Sequence, residues 1–396
     1  MTIANALGEA ALTVWLAQGL GSTLTVAAYR RGLPRPEVPG VEPPVAVILP
    51  VRGAAHLPAL LPLLRAQAYG PYRVIAAVES AEDPAWAILT QAAAEPGAPL
   101  EVVVAGHASG HGQKVWNQLA ALDRLEDDDA VVAFIDADTR PTPLWLPRLV
   151  AVLVNSGRPV ATGYRWMVPA DDRLSSACLA AANNSIASLP RGAMPLPLVW
   201  GGSVAMRRET LDKIRLRDFW AGAISDDAQM AQAMREAGLL AHAPRQGLVL
   251  TPISASWRGA LAFGARQYRF VLLHEPWSWA TAMAVLWTPP LCLLLAAPAL
   301  AAGSSWAWTA LALIVVLGEV RAWLKRSLQR ALWPAIEGAR ENRRWLAERL
   351  LRPVWWMMHA VGAAGAAGSR TIDWAGVRYR VEAPQRVVIE SRQAPQ

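Results

Sequence analysis

Charge is scarce in this chain, and one long stretch has none. Asp, Glu, Lys and Arg make up 17% of the 396 residues, against about 25% in an ordinary soluble domain. Between Pro276 and Gly318 no charged side chain occurs at all. So long a run excludes an ordinary soluble hairpin and reads as membrane-embedded. Gly303, Ser304 and Ser305 interrupt it, leaving spans over Trp279–Ala302 and Trp306–Val320. Pro289, Pro290 and Pro298 predict a kink in the first, where neighbouring spans satisfy the freed carbonyls. Cysteine is also sparse. Cys178 and Cys292 alone cannot build a disulfide framework or a metal cluster, which suits a reducing compartment. Two nucleotide motifs are missing. The loop Gly106–Gly112 lacks the Gly-Lys-Ser/Thr end of a P-loop and the spacing of a dinucleotide fingerprint. His107 and His111 within it have no further ligands at zinc spacing, so the segment reads as a flexible loop leading into Lys114. No nucleic-acid motif accompanies the net charge of +7, and the basic residues cluster beside apolar segments.

A further apolar stretch lies near the amino terminus. Ala10–Tyr29 carries no charge, no Lys or Arg precedes it, and Arg30 and Arg31 follow. Without a small-residue cleavage site it is expected to be a retained anchor. Arg30, Arg31 and Arg35 flank this span, and Arg321, Lys325, Arg326 and Arg330 flank the last. The positive-inside rule puts both flanks, and the segment between them, in the cytoplasm. Beyond lie Arg340, Arg343, Arg344, Arg349 and Arg352, interleaved with Trp333, Trp345, Trp355 and Trp356. Such a Trp/Arg helix suits the headgroup layer. Pro353–Gly368 is charge-free but short, and reads as interfacial or re-entrant. The expected organisation is an anchor over 1–35, a cytoplasmic domain over 36–275 and a transmembrane hairpin over 276–320. Interfacial and re-entrant helices over 321–368 and a cytoplasmic tail over 369–396 complete it.

Inside the cytoplasmic segment strand-like runs alternate with helical ones. Val45–Val51, Tyr72–Glu79, Leu100–Ala105 and Ala130–Asp136 read as strands. Helices are expected over Leu57–Gln67, Pro84–Ala94 and Lys114–Leu125. A helix over Leu144–Val154, a strand over Val160–Trp166 and a helix over Arg173–Leu189 follow. This alternation predicts an α/β fold, with a mostly parallel sheet flanked by helices.

The fourth strand ends in Asp136-Ala137-Asp138, then Thr139, Arg140 and Pro141. Carboxyl ends of strands are where open α/β sheets bind ligands. Side chains at i and i+2 point the same way, so both carboxylates can reach one cation or one sugar. A solvated turn is the plain alternative. Ser225-Asp226-Asp227 opens a helix over Ala228–Ala237, where Ser225 or Asp226 can cap and acids suit the positive end. A carboxylate there can also serve as a general base. Trp257, Leu261, Gly264, Tyr268 and Val271 form a helical stripe, with Arg266 and Arg269 on another face. That helix reads as lying on the bilayer, or as presenting guanidinium forks to a pyrophosphate.

Taken in order, these pieces resemble the membrane-bound family-two-type glycosyltransferases, most closely the ceramide glucosyltransferases. The matching segments are VAVILPVRG (45–53), EDPA (82–85), KVWNQLAAL (114–122) and FIDAD (134–138). GGSVAMRRETLD (201–212), SDDAQMAQAMREAGL (225–239), RQYRF (266–270) and SRTIDWAGVRYRV (369–381) continue the series. The resemblance implies a GT-A nucleotide-sugar fold and a divalent cation, Mg²⁺ or Mn²⁺. It implies inverting transfer of a hexose, from UDP-glucose by default, to a ceramide-like lipid hydroxyl at the cytoplasmic face of a membrane, a bacterial inner membrane. Asp136 would face the nucleotide ribose and share a metal with Asp138. Asp227 would be the general base, with Asp226 beside it. Lys114, Glu79, Arg266, Arg269 and Phe270 would bind substrate. The sequence departs from the pattern in three places. Phe270 replaces the final Trp of the arginine motif, Ser80 beside Glu79 replaces an Asp near the base, and Asn183–Arg191 lacks the acceptor-side His. The same chemistry on a hopanoid, a polyprenyl phosphate or a polysaccharide is the near alternative. A non-catalytic membrane scaffold is the distant one, and it would tolerate loss of Asp138 and Asp227.

Overall fold

The computed structural model describes residues 2–33, 38–189, 199–244, 246–336 and 338–395. Arg35 of the first basic flank lies outside them, as does Arg191 at the end of the segment lacking the acceptor-side His.

The chain opens with α1 (Ile3–Arg31). A regular alternation follows: β1 (Val45–Pro50), α2 (Leu57–Arg65), β2 (Tyr72–Val78), α3 (Pro84–Ala93), β3 (Leu100–Val104) and α4 (Gln113–Leu122). Then come β4 (Val131–Ile135), α5 (Trp145–Asn155), β5 (Val160–Thr162), β6 (Tyr164–Pro169) and α6 (Leu174–Ala187). Beyond lie β7 (Ser203–Arg207), α7 (Arg208–Lys213), α8 (Leu216–Trp220), α9 (Asp226–Glu236), β8 (Ala241–His242) and β9 (Leu248–Ile253). The helices α10 (Trp257–His274), α11 (Pro276–Ala301), α12 (Ser305–Leu332), α13 (Ala339–Leu350) and α14 (Arg352–Gly365) are consecutive. The strands β10 (Thr371–Trp374), β11 (Val377–Ala383) and β12 (Arg386–Arg392) close the chain.

Two compact units result. One comprises Met1–Leu33, Met167–Pro190 and Ile253–Gly368; the other comprises Pro34–Trp166, Arg191–Pro252 and Ser369–Gln396.

The second unit is built on a seven-stranded sheet of order β3-β2-β1-β4-β7-β5-β8. All its pairings are parallel except those of β7, which runs antiparallel to β4 and to β5. The expected mostly parallel α/β sheet is therefore present. Val45–Leu49 and Val131–Ile135 are buried throughout, as continuous apolar runs must be when helices cover both faces. Leu57, Leu60, Leu61 and Leu64, at helical spacing on α2, pack on one face with Leu89 of α3 and Leu149 of α5. Val115 and Leu122 of α4 and Met230 and Met234 of α9 cover the other, against Ile48 and Phe134. The parallel register of β2, β1 and β4 brings their carboxyl ends to one edge.

The strand expected over Val160–Trp166 is broken. Gly163 donates its N–H to Ser203 O at 2.7 Å and separates β5, in the main sheet, from β6, which pairs with β9 in a two-stranded sheet. A Cβ at Gly163 would collide with the Gly247 carbonyl, so the break needs glycine.

The tail is also folded. β10, β11 and β12 form an antiparallel meander in that order. Val377, Tyr379 and Val381 are buried while Arg378 and Arg380 face outward, the period-two pattern of a one-sided sheet. Ala375 (φ 49°) and Gly376 (φ 74°) make the tight reversal between the first two strands.

In the first unit, α1, α11 and α12 are each long and apolar enough to cross a membrane. α1 closes on the other two through small residues, with Leu12 packed among Ala296, Ala299, Ala307 and Ala310. Gly8 admits the α11 backbone at Leu295 and Ala296. α12 continues past Val320 and brings Lys325 into a buried ion pair with Glu348 of α13. Arg344 joins that network at 2.6 Å from Glu341 and 3.0 Å from Glu348, wholly buried. Its guanidinium is therefore spent inside the unit, while Arg326 and Arg349 stack on the half-buried Trp345.

Candidate active site

β4 ends at Ile135, and the chain turns at once. Thr139 donates from its N–H (3.2 Å) and its Oγ1 (2.7 Å) to the Asp136 carbonyl. This turn leaves Asp136 and Asp138 at the carboxyl edge of the central strand.

Lys114 organises the acids around it. Its Nζ lies 2.6 Å from Asp136 Oδ1 and 2.9 Å from Asp226 Oδ2. Gln118, one helical turn along α4, donates to the same Asp226 oxygen at 3.1 Å. The helix is itself pinned to the sheet. Asn117 Nδ2 donates to the Val51 and Ala77 carbonyls, at 3.0 and 3.1 Å, at the ends of β1 and β2. Ser225 caps α9, accepting from Ala228 N–H, and donates at 2.6 Å to Asp227 Oδ1. Asp227 Oδ1 also accepts from the Ala228 N–H at 2.8 Å. Capping and carboxylate placement thus coexist in this motif. Asp226 is almost wholly buried, and Asp227 is partly open.

The electrostatics follow from burial. Desolvation pushes Asp136 up to about 6, opposed by Lys114 and reinforced by Asp138 and Asp226. Asp227 is raised as well, first by burial and then by the negative charge of Asp226; Lys114, Ser225 and Arg165 pull the other way. Burial works against a charged Lys114. The combined attraction of Asp136, Asp226 and Asp227 outweighs it and holds the amine above its ordinary value.

Three further residues support the pocket. Arg165 of β6 stacks on Trp200 at 5.3 Å and acts on Asp227. Gly201 and Gly202 sit where a Cβ would fall onto the carboxylates of Asp226 and Asp136 respectively. The sequence signal was the Gly-Gly pair itself, which lets backbone approach a filled site.

The other expected site residues are placed differently. Glu79 is buried beneath two arginines, 2.9 Å from Arg52 Nε and 3.1 Å from Arg392 Nη1. A cavity of about 500 Å³ opens beside Arg392, between His107–Gly110 and Val387–Ile389. Arg266, Arg269 and Phe270 belong to α10, in the other unit. Arg269 is buried there, donating to the Gly365 and Ala366 carbonyls at 3.1 and 3.2 Å, and so closes the end of α14. Arg266 stacks on Phe263 at 5.3 Å.

The acidic pocket suits a divalent cation. Asp138 Oδ1 is buried without a hydrogen-bond partner. Four carboxylates, Asp136, Asp138, Asp226 and Asp227, face three cations, Lys114, Arg140 and Arg165, which leaves a surplus of one negative charge when all are ionised. No group of three His, Cys, Asp or Glu side chains able to hold a metal occurs among the described residues. A cation here would therefore rest on Asp138, with Asp136 close by, and complete its shell with oxygens of a bound ligand.

A sequence model of glycosyl transferase family 21 matches residues 8–387. Comparison with curated proteins returns no match. Among solved structures, the fold is similar to that of a mannosyltransferase from Pyrobaculum calidifontis in complex with GDP-mannose and Mn²⁺. The identity is 17% and the TM-score 0.52, over 92% of this chain and 98% of that one. A glucosyl-3-phosphoglycerate synthase from Mycobacterium tuberculosis, with Mn²⁺, UDP and its product, matches at 15% identity and TM-score 0.34. That match covers 62% of this chain and 81% of the other. The architecture shared with the first of these is the GT-A fold of nucleotide-sugar glycosyltransferases.

Proposed function

The chain belongs to glycosyl transferase family 21, and from that we propose that it moves a hexose from a nucleotide sugar to a lipid hydroxyl at a membrane surface. The donor is UDP-glucose, and the acceptor is ceramide-like. The observation that carries the reading is the convergence on Lys114 of carboxylates from β4 and α9, remote in sequence, at the carboxyl edge of the sheet.

The donor's diphosphate lies at Asp136 and Asp138, with its nucleoside toward the cavity beside Arg392. A bound Mg²⁺ or Mn²⁺ supplies positive charge to the departing diphosphate. Asp227 accepts the proton of the attacking hydroxyl, and its partial opening to solvent supports that role over the buried Asp226. Asp226 and Gln118 hold Lys114 in place, and Lys114 in turn holds Asp136. Attack opposite the leaving diphosphate inverts the anomeric centre in one displacement. Arg269 braces α10 by closing the end of α14.

The three apolar helices support a membrane acceptor. The basic flanks Arg30-Arg31 and Arg321–Arg330 support a cytoplasmic catalytic domain with the amino terminus outside.

Membranes containing the protein, given UDP-[¹⁴C]glucose, Mn²⁺ and ceramide, should form a labelled glycolipid, identified by mass spectrometry. Ceramide unlabelled while a hopanoid or polyprenyl phosphate acquires label would overturn the acceptor. Full function of Asp138→Ala and Asp227→Asn variants would overturn the enzyme itself.

A further inference from the structure

The terminal meander brings an aromatic ring to the carboxylate pocket. Trp374, the last residue of β10, has its ring centroid 5.9 Å from Lys114 Nζ. That same nitrogen lies 2.6 Å from Asp136 and 2.9 Å from Asp226. The left-handed Ala375-Gly376 reversal follows immediately, so Trp374 stands at the tip of a hairpin.

The hairpin is firmly seated. Arg392 donates to Glu79 at 3.1 Å, to Gln113 Oε1 at 2.6 Å and to the Ala108 carbonyl at 3.0 Å. Arg52 donates to the carbonyls of Ala375 and Gln393. Tyr379 accepts from the N–H of Gln113, the residue before Lys114, at 3.1 Å. Gln385 donates to the Asp218, Phe219 and Ala221 carbonyls and so closes the end of α8, with its own carbonyl against Gly222. A meander fastened to the ends of β1 and β2 and to the start of α4 presents Trp374 with little left to order on binding.

We propose that Trp374 is a wall of the donor site, packed against the hexosyl ring of the bound nucleotide sugar, so that β10–β12 take part in selecting the donor. This rests on the reading that the Lys114 pocket takes a nucleotide sugar. The transferred sugar must sit near the carboxylates, because the proton acceptor works at its anomeric carbon. An indole face, apolar and electron-rich, complements the C–H face of a pyranose. A bare nucleoside diphosphate lacks that pyranose.

The test uses the full-length protein in nanodiscs with Mn²⁺, and whichever pair the wild type accepts: UDP-glucose and UDP, or GDP-mannose and GDP. Trp374→Ala should raise the KM of the sugar nucleotide about tenfold, while inhibition by the bare diphosphate shifts less than about twofold. Trp374→Phe should recover most of the loss. Asp373→Ala, exposed on the same strand, should behave as wild type. An unchanged KM for Trp374→Ala overturns the assignment. So does equal weakening of both ligands, or a matching defect in Asp373→Ala, since either makes Trp374 a support of the meander only. If the wild type transfers no sugar, the transferase reading fails by itself, and calorimetric affinities of the same ligand pairs still decide the role of Trp374.

Discussion

Asp227→Asn removes one proton-accepting oxygen and changes little else. Asn keeps an Oδ1 able to accept from Ser225 Oγ at 2.6 Å and from the Ala228 N–H at 2.8 Å, so the start of α9 should stand. A well-placed general base contributes about 10²- to 10⁴-fold, which is about 3–5 kcal/mol of barrier. Turnover should fall by that factor while donor affinity stays within about threefold. The pH dependence gives a second readout. Burial and Asp226 raise the Asp227 carboxyl above its ordinary 3.8. Below the raised value it is protonated and cannot accept the hydroxyl proton, so wild-type kcat/KM climbs with pH along a limb displaced upward from 3.8. In the variant only a limb set by Asp136, itself raised to about 6, should remain. Stability has the opposite sign. Between 3.8 and the raised value the folded state holds the proton and the unfolded chain has lost it, so ionisation opposes folding as pH rises. Asn has no charge to desolvate, and the variant should melt at or above the wild type at neutral pH. Transfer from radiolabelled donor, calorimetry and thermal melts of the full chain measure all three. Turnover above about a tenth of wild type would refute the role of Asp227.

Lys114→Met leaves Asp136 and Asp226 without their shared cation. The loss should be about 3–5 kcal/mol near pH 8, read by chemical denaturation, and smaller near pH 5 as Asp136 takes up its proton. Gly201→Ala forces a methyl group onto the Asp226 carboxylate, for about 1–3 kcal/mol of destabilisation in thermal melts and a parallel fall in activity. Chelation should abolish transfer and Mn²⁺ or Mg²⁺ should restore it, with Asp138→Ala needing roughly tenfold more cation or worse in a titration. Arg269→Ala should lower the melting temperature by exposing the α14 carbonyls, and an unchanged melting temperature would contradict that role.

Much of this was legible along the chain, because local periodicity reports which face of a segment is buried. Continuous apolar runs at Val45–Leu49 and Val131–Ile135 marked strands covered on both sides, and the charge-free stretch from Pro276 marked helices suited to a membrane. The acids after Ile135 and at Asp226-Asp227 were visible as breaks in those patterns. Lys114 stood out at the head of KVWNQLAAL (114–122), whereas Gln118 within that segment was given no role. The meander was missed: 369–396 was expected as a tail, because a terminal segment so rich in arginine reads as solvated, although Val377 to Val381 alternate after an Ala-Gly reversal.

What no spacing along the chain could decide is which side chains meet. Lys114 reaches Asp226 only because α4 and α9 cover the same face of the sheet, and β4 delivers Asp136 between them. Glu79 is held by Arg52 nearby in sequence and by Arg392 from the last strand, a pairing set by where the meander docks. Arg269 carries a phosphate-binding pattern yet closes a helix end, because α14 happens to finish beside it. Periodicity is a property of one segment and its own burial. A charge's partner is a property of two segments, and it exists only once strand order and docking have brought them within a few ångströms.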